Sequence, residues 1–146
     1  RPAGGLPRPQ PGESRTGIEI LVDEYTAAAE IAARAWQALC KAEPLPRTRK
    51  DRDNFRDEIL LTELVYRTVL ACANVARFLV ARDAGNEAGM RNVAIAERAN
   101  ALAAVSIYAQ APWLDYPMRL DGAYSPAADM IREKVRMIDE LLGTRP

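Results

Sequence analysis

The chain has 146 residues, enough for one domain that buries a core without disulfide or metal staples. Its 20 Lys and Arg balance 20 Asp and Glu, which argues against a dedicated nucleic-acid or anionic-membrane binder, because such affinity comes from concentrated positive charge. Hydrophobic residues make up 49% of the chain but aromatics only 6%, with alanine supplying much of the difference, as expected of helices packed closely on helices.

Residues 1–15, "RPAGGLPRPQPGESR", are rich in proline and glycine and read as an extended arm or linker. "PRPQP" can form polyproline II, so a ligand for a partner domain is the alternative there. The segment is too polar for a signal peptide. A chain that opens on Arg is expected to be processed or cut from a longer protein. Residues 16–146 then form a single helical domain.

Thr16-Gly17-Ile18-Glu19 has the form of a capping box, and a helix should follow to about Glu43, where Pro44 and Pro46 stop it. Its apolar positions Ile18, Val22, Tyr25, Ala29, Ala32, Trp36 and Leu39 alternate steps of four and three. That is a heptad seam, which packs against a neighbouring helix at about 20°. "PLPRTRKDRDNFRDE" reads as a solvated, charged connection running into a helix start, in preference to a phosphate-binding patch.

A second helix is predicted from about Asp53 to Ala84, with Gly85 suited to a left-handed cap. "ILLTELVYRTVLACANVARFLV" is apolar nearly all round, and Glu63, Arg67, Asn74 and Arg77 share one narrow stripe. Such a helix should be central, covered on most sides by other helices or by a partner chain. A third helix, from about Glu87 to Ala111, carries Met90, Ala94, Ala101, Ala104 and Tyr108 on one face. Glu97 sits in the middle of that face with Asn100 beside it, and a carboxylate centred on an apolar stripe is the informative exception.

The loop "QAPWLDYPMRLDGAYSPAADM" follows. Trp113, Leu114, Tyr116, Met118 and Leu120 are too apolar for a free loop and should fold over a bundle end. Asp115, Arg119 and Asp121 can pin its turns. Docking of a partner through Trp113, Tyr116, Arg119 and Tyr124 and a lid over a small ligand are the alternatives. Ser125 as N-cap and Pro126 at the first helical position should open a last, shorter helix. Ile131, Val135, Ile138 and Leu142 give its seam, and Gly143 ends it.

The expected fold is therefore all-α: a mostly antiparallel bundle of three long helices plus a shorter C-terminal helix. No apolar run reaches the roughly 18–20 residues of a membrane span. Cys40 and Cys72 lack zinc spacing and read as small buried residues in a reducing, cytoplasmic setting. With no His, the Ser-His-Asp and Cys-His triads are excluded. No phosphate-binding loop, dinucleotide fingerprint or ExxH pair is present, so no cofactor or metal is implied.

What remains is a polar cluster: Glu63, Arg67, Asn74, Arg77, Glu97 and Asn100. In a hairpin turning about Asn86, Glu97 lies level with Asn74 and Arg77, and Tyr108 near Glu63. Glu97 is expected to pair with Arg77 and to hydrogen-bond Asn74 or Asn100, since a lone buried carboxylate would take up a proton or cost several kcal/mol. The cluster is either a buried network that fixes helix register or the lining of a ligand site.

"AERANALAAVSIYAQAPWLDYPMRLDGAYSPAADMIREKV" resembles the helical C-terminal segments of some α-glucuronidase-like glycoside hydrolases, in which an Asn-Ala helix precedes an aromatic loop, an Arg-Leu pair and a closing Met-Ile-x-x-Lys helix. The resemblance covers about forty residues, without the barrel of that family or a catalytic signature, and assigns no catalytic residue here. The expected function is a non-catalytic helical structural or interaction module, which oligomerises or docks on a larger protein partner. The alternatives are an accessory helical domain of a larger enzyme, carbohydrate-active by the resemblance, and a small-ligand-binding bundle built on the Glu/Arg cluster.

Overall fold

The Thr16 hydroxyl accepts from the Glu19 amide at 3.3 Å, and the Glu19 carboxylate accepts from the Thr16 amide at 2.6 Å. In the computed structural model, which describes residues 14–43, 45, 47–115, 117–120 and 123–144, this capping box opens α1 (Gly17–Ala42). Most of the proline-rich arm and Tyr116 lie outside the described residues. None of the seven seam residues of α1 is exposed, and the seam runs along α2.

Helix α2 (Arg49–Asp83) begins about a turn before the expected start. Thr48 is its N-cap: the Thr48 hydroxyl accepts from the Asp51 amide at 3.1 Å and donates to the Asp51 carboxylate at 2.5 Å. The charged stretch expected as a connection is thus mostly the first turns of the helix. At the other end Gly85 takes the left-handed conformation (φ 66°) as its position suggested. Asn86 then caps α3 (Glu87–Gln110) by accepting from the Gly89 amide at 2.8 Å. A Cβ on Gly89 would come within 2.7 Å of that Asn86 side chain, so the cap depends on glycine there.

After α3 the chain makes a 3-10 turn (Pro112–Leu114) and a hairpin of β1 (Pro117–Leu120) with β2 (Ala123–Pro126). The strands are antiparallel in the register Pro117↔Pro126, Met118↔Ser125, Arg119↔Tyr124 and Leu120↔Ala123. Both prolines pair at the open end of the ladder, where a missing amide costs least. Helix α4 (Ala127–Leu142) starts after Pro126, not after Ser125 as expected, and no side chain of its own N-cap closes it. Instead Asp115, thirteen residues upstream, accepts from the Ala128 amide at 2.9 Å. Gly143 ends α4 in the left-handed conformation.

The four helices form a bundle of three long members and a shorter fourth. They pack in chain order: α1 on α2, α2 on α3, α3 on α4. Ala73, Ala76, Ala94, Ala101 and Ala104 are buried at these contacts, and small side chains let the axes approach closely. One end is filled by Leu60, Ile107 and Ala111, with Leu64 and Leu114 packed against them.

Within the single chain, helices cover α2 on fewer sides than expected, which leaves the expected cover by a partner chain open. Neighbouring helices cover its two flanks, but a row along its front faces solvent. By length and composition α2 also contains an 18-residue window of mean hydropathy 1.5, apolar enough to cross a membrane, which the sequence reading missed because charges interrupt the run. The expectation for the cysteines is corrected as well: Cys40 and Cys72 are free and exposed, each on the solvent side of its helix.

A polar belt and an open apolar row as the candidate functional site

Four helices contribute to one hydrogen-bonded belt. Glu97, only 5% exposed, accepts from the Asn74 amide at 2.8 Å and the Asn100 amide at 3.3 Å. Its other oxygen accepts from the Lys134 ammonium of α4 at 2.5 Å. Asn74 in turn accepts from Arg77 at 3.1 Å, and Arg77 donates to the Thr26 hydroxyl of α1 at 2.8 Å. The ion-pair partner of Glu97 is therefore Lys134, not Arg77 as expected. Arg77 points across α2 toward α1, whereas Glu97 rises from α3 on the opposite flank, so Asn74 bridges them.

Glu63 and Arg67 form a separate pair at 2.8 Å, four residues apart on α2. The Arg67 guanidinium lies 5.4 Å from the Trp36 ring centre and 5.1 Å from that of Tyr66, and the two rings stack at 5.7 Å. Asn100 joins this pair to the belt by donating to the Arg67 carbonyl at 2.9 Å. All six residues of the expected cluster thus belong to connected polar contacts. Glu97 accepts from three donors in all, one of them charged. The Asn100 carbonyl and the Trp36 indole N–H are buried without a partner among the described residues.

Tyr108 lines a hollow with Leu64 and Arg67 of α2. Burial, and then the charge of Asp115, push its phenol above the ordinary range. Asp115 thus holds the start of α4 and also faces the end of α3. Of the loop residues, Trp113 is 55% exposed and does not cover the core, whereas Leu114 packs into it. Arg119 and Tyr124 are partners in the hairpin register.

The other notable surface was only half visible in sequence. On the front of α2, Leu61, Val65, Thr68, Cys72 and Val75 are exposed at alternating steps of four and three, with Val65 and Val75 each 50% accessible. Between this row and α4 lies a groove of about 360 Å³, walled by Val75, Phe78, Leu79, Met137, Ile138 and Leu141 and floored by Asn74, Glu97 and Lys134. Met137 and Leu141 stand about 60% exposed at its rim. The row was hidden in the sequence because α2 is apolar on its covered flanks too, so no contrast in composition marks the open side.

Among the described residues, no group of three or more Cys, Asp and Glu side chains converges as a metal site requires. Comparison with protein-family models, curated proteins and solved structures finds no match.

Proposed function

We propose that this chain is a non-catalytic helical interaction module that works through the open front of α2 and the adjoining edge of α4. The observation that carries this reading is the exposed row from Leu61 to Val75, which repeats with the period of a helix–helix seam. Residues at that spacing are satisfied by a helix lying along them. The exposed Leu and Val of this row, beside Met137 and Leu141, also make an apolar surface of the kind that marks contact sites. The polar belt supports the reading by giving the module a rigid back: its donors and acceptors answer one another across four helices.

Cys72 lies in the row and Cys40 lies on α1, and both are exposed, so the protein carries its own probe and control. Thiol labelling of the full chain in fresh extract should modify Cys40 and spare Cys72. Equal labelling of both would show the row uncovered in its working state and would overturn the proposal.

A second reading rests on the groove itself. Its walls are apolar and its floor carries Lys134, so an apolar small molecule with an acceptor group would fit. Saturable uptake of decanoate, lost in Val75→Glu, would favour that reading.

A further inference from the structure

Extended in both directions along α2, the outward row reads Asn54, Glu58, Leu61, Val65, Thr68, Cys72, Val75, Leu79, Arg82, with steps of four and three throughout. All but the half-buried Leu79 are exposed. From Glu58 to Arg82 the row is nearly a palindrome about a point midway between Thr68 and Cys72. Thr68 balances Cys72, Val65 balances Val75, Leu61 balances Leu79, and Glu58 balances Arg82.

We infer that the partner of this face is a second copy of the same chain, docked with its α2 antiparallel about a two-fold axis level with Leu70. The inference rests on the reading of this chain as an interaction module and names the partner. A two-fold contact requires a surface that is complementary to itself, and a palindromic seam has that property. In this register Thr68 meets Cys72 of the second copy, Val65 meets Val75, and Leu61 meets Leu79, each twice. Similar volumes therefore oppose one another along about 27 Å of helix.

Charge selects the orientation. In the antiparallel arrangement Glu58 faces Arg82 of the second copy at both ends of the apolar stretch. A parallel pairing in register would instead set Glu58 against Glu58 and Arg82 against Arg82, a repulsive arrangement that disfavours it. Both side chains are exposed, and the contact of Arg82 with Asp83, at 2.9 and 3.1 Å, is a surface pair that a better-placed carboxylate can replace.

The flanks add to the contact. A hollow of about 400 Å³ beside the row is lined by Ile18, Leu21 and Tyr25 of α1 together with Thr68, Cys72 and Val75. On the other side Met137 and Leu141 rim the groove.

The test uses the full chain in a Cys40→Ser background. Thr68→Cys places a thiol opposite Cys72 of the second copy and should give a disulfide-linked dimer under mild oxidation. Val65→Cys, one seam position away, should cross-link at least tenfold more slowly. Sedimentation should show a monomer–dimer equilibrium weakened at least tenfold by Glu58→Arg and restored by adding Arg82→Glu, a rescue that only antiparallel pairing provides.

A chain that stays monomeric at high concentration, with Cys72 fully reactive when purified yet spared in extract, overturns the second copy and leaves the interaction reading standing. Cys72 reactive in both settings removes both. A dimer without the Thr68→Cys cross-link or without the charge rescue overturns the register. Protection of Cys72 only on phosphatidylcholine vesicles overturns the second copy in favour of lipid.

Discussion

At the scale of single residues, the informative group is Glu97. A carboxylate this buried needs its charge answered, and it is answered by Lys134 and two amides. Glu97→Gln leaves the lysine without its counter-charge and should cost about 1–3 kcal/mol in urea unfolding, below the full price of a sealed ion pair because Lys134 is partly solvated. Lys134→Met should cost a similar amount. The double substitution should cost clearly less than the sum, and strict additivity would mean that the two groups are not coupled. Asp139, part-buried against Arg98, offers a second case. The Arg98 guanidinium at 2.5 Å holds its carboxyl below the usual carboxylate range. That contribution is present above the ordinary carboxylate pKa and is lost as pH falls through the lower folded value. Asp139→Asn should therefore flatten the acid limb of the stability–pH curve, and an unchanged limb would rule the pair out as its source. Glu97 with Asn74 was legible in the sequence because a tight turn at Asn86 fixes the register of two consecutive helices. Lys134 was not, because the irregular segment before α4 leaves that register free.

At the scale of elements, local chemistry decided what could be read. The capping box at Thr16, the left-handed Gly85 and Gly143, and the α1 seam follow from neighbours in sequence, and each was legible. The start of α2 was misplaced because "RTRKDRD" looks like a linker by charge, while Thr48 with Asp51 three residues on is itself a cap. The start of α4 was misplaced for the opposite reason: its cap is Asp115, distant in sequence and brought close by the turn and hairpin between them. Asp115→Ala should destabilise the fold by about 1 kcal/mol, the usual worth of a cap, and loosen the amides of the first turn of α4 to exchange. Burial, and after it the charge of this same carboxylate, raises the pKa of Tyr108. With the folded phenol above its unfolded value, stability is intact below that unfolded value and declines as pH rises toward the folded one. Asp115→Asn, which keeps an acceptor and removes the charge, should bring the Tyr108 phenolate transition down in ultraviolet titration, with Tyr108→Phe identifying the signal. No movement would mean that burial alone sets the shift.

At the scale of the whole molecule, packing in chain order makes stability uneven. Helix α3 carries six buried residues and touches helices on both sides, whereas α1 buries only Ala29 fully and packs substantially on α2 alone. Elements with one neighbour and a thin core open at lower free energy than those with two. Native-state hydrogen exchange should therefore show the amides of α1 opening before those of α3 between Ala94 and Ile107. The Arg77–Thr26 bond is a polar tie from α1 to the belt, so Arg77→Met should lower α1 protection and leave α3 unchanged. Concentration adds a second axis to the same measurement. If two copies meet along α2, the hollow lined by Ile18, Leu21 and Tyr25 becomes covered, and α1 should gain protection as the protein is concentrated while α3 does not. Uniform protection of both helices at every concentration would mean one cooperative unit with no partner on the front of α2, and both the graded stability and the paired assembly would have to be abandoned.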